Sequence, residues 1–185
     1  MSKSNLPTEI GTLTPEDIHL SAELPKDSCD IDRLLDLAFG PDRQGKAVYR
    51  FRENLAPIAE LSTVARVDGI LRGAIRYSPV KIGDHGVSAL LLGPLAVDPA
   101  FRGAGVGLSL MRHTLEVSRD LGHKIVVLVG DEPYYARVGF STSIAKNLII
   151  SGQAARNRIL GLALVDGAMK DVEGILRPDH GPSVS

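Results

Sequence analysis

The stretch Leu92-Gly93-Pro94-Leu95-Ala96-Val97-Asp98-Pro99-Ala100-Phe101-Arg102-Gly103-Ala104-Gly105-Val106-Gly107-Leu108-Ser109-Leu110 decides how the rest of the chain is read. It opens as the end of an apolar strand, Ala89 to Val97, interrupted by Gly93-Pro94. Proline has no N–H to give to a ladder, so the strand is expected to bulge there or to stand unpaired on one side. After Asp98-Pro99 the chain makes a loop with glycine at 103, 105 and 107, then enters a long helix that runs to about Leu121 and stops at Gly122. A helix start leaves its first amide N–H groups unpaired, and the macrodipole adds roughly half a positive charge there. Glycines let an anion approach those amides with no Cβ in the way, and Arg102 adds a cation at the loop mouth. The stretch therefore reads as a phosphate cradle, against the plainer alternative of a tight strand-to-helix turn.

Two common phosphate binders fit poorly. A P-loop ends in Gly-Lys-Ser/Thr, whereas this loop ends Val106-Gly107-Leu108-Ser109 and carries no lysine. A dinucleotide fingerprint wants its third glycine where Leu108 stands, and it normally belongs to the first strand–helix unit of a domain. Asp131, after the next strand, could imitate the ribose-binding acid and keeps that alternative open.

Working outward, the N-terminal side begins with a weak first strand at Ile18 to Glu23. A helix follows, capped by Asp27 or Ser28, with Ile31, Leu34, Leu35 and Ala38 at helical spacing and Gly40-Pro41 as its stop. A shorter helix is predicted from about Lys46 to Leu55. Leu61 to Val67 and Ile70 to Tyr77 read as two strands joined by Asp68-Gly69, a pair that accepts the positive φ angles of a type I′ turn. Lys81 to Gly86 reads as a polar tip. In the long helix, Arg112, His113, Glu116, Arg119 and Asp120 project onto one polar arc. Leu108, Leu110, Met111, Leu115, Val117 and Leu121 take most of the rest, so the helix lies deep against a sheet. His123 to Val129 is apolar without alternation, as expected for a strand covered on both faces. A short helix at Glu132 to Arg137 leads to Gly139-Phe140, and the last strand is expected at Ile159 to Val165. The order predicts one domain of the α/β class with a mixed sheet, spanning residues 13–168 between a flexible 1–12 and a tail of 169–185.

Bulk properties exclude several functions. The 185 residues suffice for one domain with a real core; 44% are hydrophobic and 23% charged, as in ordinary globular proteins. A formal net charge of -1 and the lack of a basic stripe argue against nucleic acid as a partner. No apolar run is long enough for a membrane span or a signal peptide, so the expected location is cytoplasmic, without membrane partners. The single cysteine, Cys29, cannot form an internal disulfide, fits a reducing compartment, and is expected as a buried or half-buried structural thiol. His19, His85, His113, His123 and His180 show no ligand spacing, so no metal is expected.

The residues Leu95-Ala96-Val97-Asp98-Pro99, Phe101 to Gly107 and the following helix resemble the GNAT superfamily of N-acetyltransferases. The later Tyr134-Tyr135-Ala136-Arg137-Val138-Gly139-Phe140 resembles its tyrosine-x-x-x-glycine-phenylalanine segment. The specific part is Leu92 to Phe140; the order of elements extends the likeness from about Leu13 to Val165. Gly-Pro-Leu-Ala-Val-Asp-Pro, Gly-Asp-x-x-Tyr-Tyr and the late Leu-Gly-Leu-x-Leu-Val-x-Gly-Ala are similar to one subgroup of small predicted N-acetyltransferases.

The resemblance implies an acyl-CoA N-acyltransferase fold: a central, mostly antiparallel sheet splayed between two parallel strands and flanked by helices. It implies acetyl-CoA as co-substrate, an amine acceptor on a small molecule or a protein, and direct attack without a covalent enzyme intermediate; a homodimer is allowed. By the same resemblance, Leu95, Ala96 and Val97 hold the pantetheine arm, and Arg102, Gly103, Ala104, Gly105, Val106, Gly107 and Leu108 hold the diphosphate. Tyr135 contacts the cofactor and protonates the leaving thiolate, a transfer that a phenol of ordinary pKa about 10 can make. Tyr134 reads as a packing residue. The base stays open: Asp131 and Glu132 are candidates for a water relay, with Asp131 as a helix cap the competing role. The family's asparagine near this point is replaced by Gly130-Asp131-Glu132-Pro133. A non-catalytic acyl-CoA-binding or regulatory domain of the same fold is the other reading.

Overall fold

In the computed structural model, which describes residues 13–45, 51, 55–151 and 158–181, the first strand β1 (His19–Ala22) leads into helix α1 (Ser28–Phe39). Asp27 sits at the head of α1 and is buried, its carboxylate accepting from Arg66 Nη2 at 2.7 Å. The helix predicted from Lys46 to Leu55 lies largely outside the described residues. Strands β2 (Thr63–Val67) and β3 (Ile70–Ile82) are joined by Asp68 and Gly69 at φ 52° and 75°, the type I′ turn that the sequence calls for. β3 runs past Tyr77 to Ile82, so the expected polar tip shrinks to the turn before β4 (Val87–Val97). Pairing with β4, which continues through Pro79, keeps this half extended.

Helix α2 (Val106–Asp120) follows the loop, then β5 (Ile125–Val129) and the short α3 (Glu132–Tyr135). β6 (Leu148–Ile150), β7 (Ile159–Ala163) and β8 (Gly174–Pro178) complete the chain. Among the described residues eight strands form one sheet in the order β1-β2-β3-β4-β5-β7, with β8 on the far half of β3 and β6 on β8. The β4–β5 and β6–β8 pairs are parallel and the others antiparallel. This is the expected mixed, mostly antiparallel α/β sheet. The sequence reading closes its strands at Val165 and misses β8, because only Leu176 of that strand is fully buried and one apolar position makes no period.

Among the described residues α1 packs on one face of the sheet and α2 on the other. Ile31, Leu34 and Leu35 of α1 pack with Val64, Ala74 and Ala96, while Val106, Leu108, Leu110, Met111 and Leu115 of α2 pack with Ala65, Ile75 and Tyr77. Neighbouring strand residues thus face opposite helices, as the pleat requires. Burying a side chain such as Leu110 or Met111, each 0% exposed, is worth roughly 2 kcal/mol relative to leaving it in water. A Cβ at Gly73 would stand 2.7 Å from Val106 Cγ1 and 2.8 Å from Leu110 Cδ1, so glycine there seats the first turns of α2 on β3.

The polar arc of α2 is exposed as projected. Leu121 departs from the projection: it follows the last helical residue and is 50% exposed. Cys29 also departs. It lies in the first turn of α1 away from the Ile31–Leu34–Leu35 stripe, and its thiol is exposed. No helix among the described residues is long and apolar enough to cross a membrane.

Candidate active site

β4 pairs with β5 only at Leu90↔Val126 and Leu91↔Val127. Just beyond, Gly93 and Pro94 of β4 stand opposite the single residue Arg76 of β3, between the pairs Tyr77↔Leu92 and Ile75↔Leu95. Two residues against one is a β-bulge, which bends its strand and increases the local twist. The bulge turns β4 away from β5. Leu95, Ala96 and Val97 keep their pairing with Ile75, Ala74 and Gly73, but no strand among the described residues pairs with their other edge. Leu95 and Val97 point to the α2 side and Ala96 to the α1 side. The result is a cleft with one wall of β4 backbone.

Arg72 and Asp98 fix how β4 hands over to the loop. Asp98 N–H donates to Arg72 O at 2.8 Å, and Arg72 Nη1 donates to Asp98 Oδ2 at 2.7 Å. Asp98 Oδ1 accepts from Ala100 N–H at 2.9 Å, and the Arg72 guanidinium lies 4.6 Å from the Phe101 ring centroid. Arg72 Nε is buried with no hydrogen-bond partner among the described residues.

Within the loop the amides fall into two groups. Arg102 N–H donates to Pro99 O and Ala104 N–H to Phe101 O, so both serve the turn itself. The first helical bond of α2 runs from Ser109 N–H to the Gly105 carbonyl at 2.9 Å. That leaves the N–H groups of Gly103, Gly105, Val106, Gly107 and Leu108 without partners among the described residues. The loop expected from Arg102 to Leu108 is thus narrowed, at the level of backbone donors, to 103 and 105–108. Its glycines have two separate reasons. Gly103 and Gly105 sit at φ 83° and 90°, where an L side chain is strained. Gly107 has an ordinary φ, but a Cβ there would overlap Tyr134 Oη.

The two tyrosines face different ends of the cleft. Tyr134 reaches the first turn of α2, whereas Tyr135 packs across Gly130, where a Cβ would meet its ring. Their rings meet edge to face with centroids 5.1 Å apart, and Phe140 closes on Tyr135 at 6.2 Å. Beneath them Tyr77, the β3 partner of Leu92, is fully buried with its hydroxyl 2.8 Å from Thr114 Oγ1. Thr114 donates its own proton to Leu110 O at 2.8 Å, so Tyr77 is the donor of the pair. Burial pushes the Tyr77 phenol far above its ordinary value, the Thr114 bond offsets part of this, and Tyr135 adds a further upward push.

The acidic candidates are engaged. Glu132 accepts from Thr142 N–H at 2.9 Å and from Thr142 Oγ1–H at 2.7 Å, bonds that hold its carboxyl below the usual range. It ties α3 to the chain beyond Phe140. Asp131 stands at the N-cap of α3 without a side-chain cap bond and pairs with Arg158 at 3.1 Å, both largely exposed. Among the described residues no group of three or more His, Cys, Asp or Glu is placed to hold a metal ion. Sequence reasoning missed Arg72, Gly130, Tyr77 and Thr142. Only Gly130 carried a signal, as a small residue at a strand end just before two aromatics.

A sheet opened by a bulge beside a helix start with unpartnered amides defines an acyltransferase fold, and comparison with known proteins agrees. The acetyltransferase (GNAT) family model matches residues 29–140, so the chain belongs to that family and is an acetyltransferase. The N-acetyltransferase YhbS of Escherichia coli K12 is 30% identical over 158 residues, 85% of this chain and 93% of its own length. The crystal structure of E. coli YhbS in complex with CoA superposes with a TM-score of 0.75 at 29% identity, over 88% of this chain and 89% of that one. A GNAT-family acetyltransferase from Brucella melitensis, solved with acetyl-CoA, gives a TM-score of 0.61 at 31% identity over 79% and 87% of the two chains.

Proposed function

We propose that this protein is a cytoplasmic, acetyl-CoA-dependent N-acetyltransferase that moves the acetyl group to a primary amine of a small molecule or protein by direct attack. One observation carries the reading: the unpaired edge of Leu95–Val97 runs toward the unpartnered amides of Gly103 and Gly105–Leu108. A pantetheine arm matches such an edge, since its amides can pair as a strand would, and a diphosphate matches the amide cluster. The relatives solved with CoA and acetyl-CoA support the same ligand.

Acetyl-CoA supplies an activated acyl carbon and a thiolate leaving group when bound. The remaining work falls to the chain. The β4 edge from Leu95 to Val97 orients the thioester for the incoming amine, so catalysis rests mainly on positioning. Amine nitrogen bonds to the acyl carbon, the carbon–sulfur bond breaks, and Tyr135 gives its phenolic proton to the departing sulfur. The proton that the nitrogen sheds on becoming an amide passes to solvent, and solvent returns one to the Tyr135 phenolate. Glu132 is held by Thr142 and serves the fold, not the proton traffic. The acceptor ammonium, with a pKa of about 10, loses its proton to solvent before attack.

The engaged state of Asp131 and Glu132 also favours a second reading, a non-catalytic acyl-CoA sensor. Thiol release from acetyl-CoA across a panel of alkyl, aryl and peptide amines separates the two. The enzyme reading expects amine-dependent thiol release; CoA binding with no turnover on any amine would leave the sensor.

A further inference from the structure

Tyr134 holds a donor that the mechanism above does not use. Its hydroxyl lies against Gly107, at a point where a Cβ would overlap it, and that same point is 3.3 Å from Val97 Cγ2. The ring is fixed edge to face on Tyr135. Among the described residues the hydroxyl has no hydrogen-bond partner. A half-buried phenol without a partner is unfavourable unless a ligand or solvent satisfies it. Among the described residues the free amides of the first turn of α2 do not donate to it, so both its proton and theirs are available. A free phenol proton beside a helix turn with free amides matches an acceptor that is rich in oxygen.

We propose that the Tyr134 hydroxyl donates a hydrogen bond to the diphosphate of CoA, beside the amides of Val106, Gly107 and Leu108. The inference rests on reading those amides as the CoA cradle. Burial raises the Tyr134 phenol above its ordinary value, with Arg137 pulling weakly the other way, so it remains a proton donor throughout the physiological range. It also assigns Gly107 a function. Glycine at 107 keeps open the path by which Tyr134 reaches the cradle, whereas Gly103 and Gly105 are required by their backbone angles.

The test compares Tyr134→Phe with the unaltered protein, using CoA and pantetheine, which ends before the diphosphate. Losing a hydrogen bond to a charged group should weaken CoA binding about tenfold or more. Pantetheine binding, measured by displacement, should stay within about twofold, because the phenyl ring still packs on Tyr135. Gly107→Ala, which displaces the hydroxyl without removing it, should reproduce the same selective loss and serves if Tyr134→Phe fails to fold. Unchanged CoA affinity in both variants overturns the inference, and so does an equal loss for CoA and pantetheine. If the unaltered protein binds CoA no better than pantetheine, the cradle itself is wrong and the inference falls with it.

Discussion

Residues 87–140 and residues 141–178 differ in how they are built. The first segment holds an eleven-residue strand, a fifteen-residue helix and a glycine loop whose angles and contacts are tightly specified. The second holds strands of three and five residues, an isolated Ser141↔Gly161 bridge and a series of turns. The first segment presents backbone groups to a ligand. The second completes the sheet, with β7 on β5 and β8 on β3, and is tied back by Thr142 to Glu132 and by Arg177 to Gly83 O and Asp84. The difference teaches that donor binding through backbone is compact in sequence, while framing is spread over weak, short contacts. Substitutions in the two segments should therefore separate into functional and purely structural effects.

The largest effect is expected at Tyr135. Tyr135→Phe should lower kcat at saturating acetyl-CoA by about 100-fold, the lower end of general acid contributions, because a thiolate is already a fair leaving group. The KM for acetyl-CoA should move by less than about threefold, as the packing on Gly130 and Phe140 survives. Steady-state kinetics check this; equal kinetics would remove Tyr135 from the chemistry.

A smaller functional effect is expected behind the loop. Asp98→Asn weakens the pair with Arg72 but leaves the backbone bond between the two residues. It should raise the KM for acetyl-CoA about fivefold with kcat held within twofold, the size of one partly exposed charge-assisted bond. A fall in melting temperature with no change in KM would reduce the Arg72–Asp98 contact to a structural one.

The smallest effect belongs to the Glu132–Thr142 tie. The Glu132 carboxyl is held below its ordinary 4.5 by the Thr142 N–H and hydroxyl. A depressed carboxyl adds stability above the unfolded value, and that stability disappears as pH falls through the folded value. Glu132→Gln should therefore melt a few degrees at most below the unaltered protein at neutral pH, with the gap closing as pH falls from 4.5 through the lowered folded value. Acetyl-CoA kinetics should not change. A large loss of kcat would give Glu132 a role in proton transfer and blur the contrast between the segments.

Legibility followed the same division. The Asp68-Gly69 turn, the Gly93-Pro94 bulge and the helix after Gly105 each rest on residues with few conformational options, so sequence reading found them. Which glycine needs a positive angle and which needs an open neighbour was not legible, because the second case depends on Tyr134 arriving from a distant turn. Arg72 was hidden for a similar reason, since its partners at 98–101 meet it only through the β3–β4 pairing. Cys29 and Leu121 turned outward because each lies at a helix end, where angular projection stops being informative. β8 left almost no trace, as a strand with one fully buried side chain has no pattern to read.

The most direct test of the backbone cradle is calorimetry of CoA binding to the unaltered protein and to Gly105→Val. Position 105 has φ 90° and open space within 4 Å of where a Cβ would stand, so the substitution strains the loop without a clash in the core. Strain of about 1–3 kcal/mol at that angle, together with the distorted amides, should weaken CoA binding roughly 10- to 100-fold while leaving the protein folded. A folded Gly105→Val that binds CoA as tightly as the unaltered protein would contradict the account and move the diphosphate away from this loop.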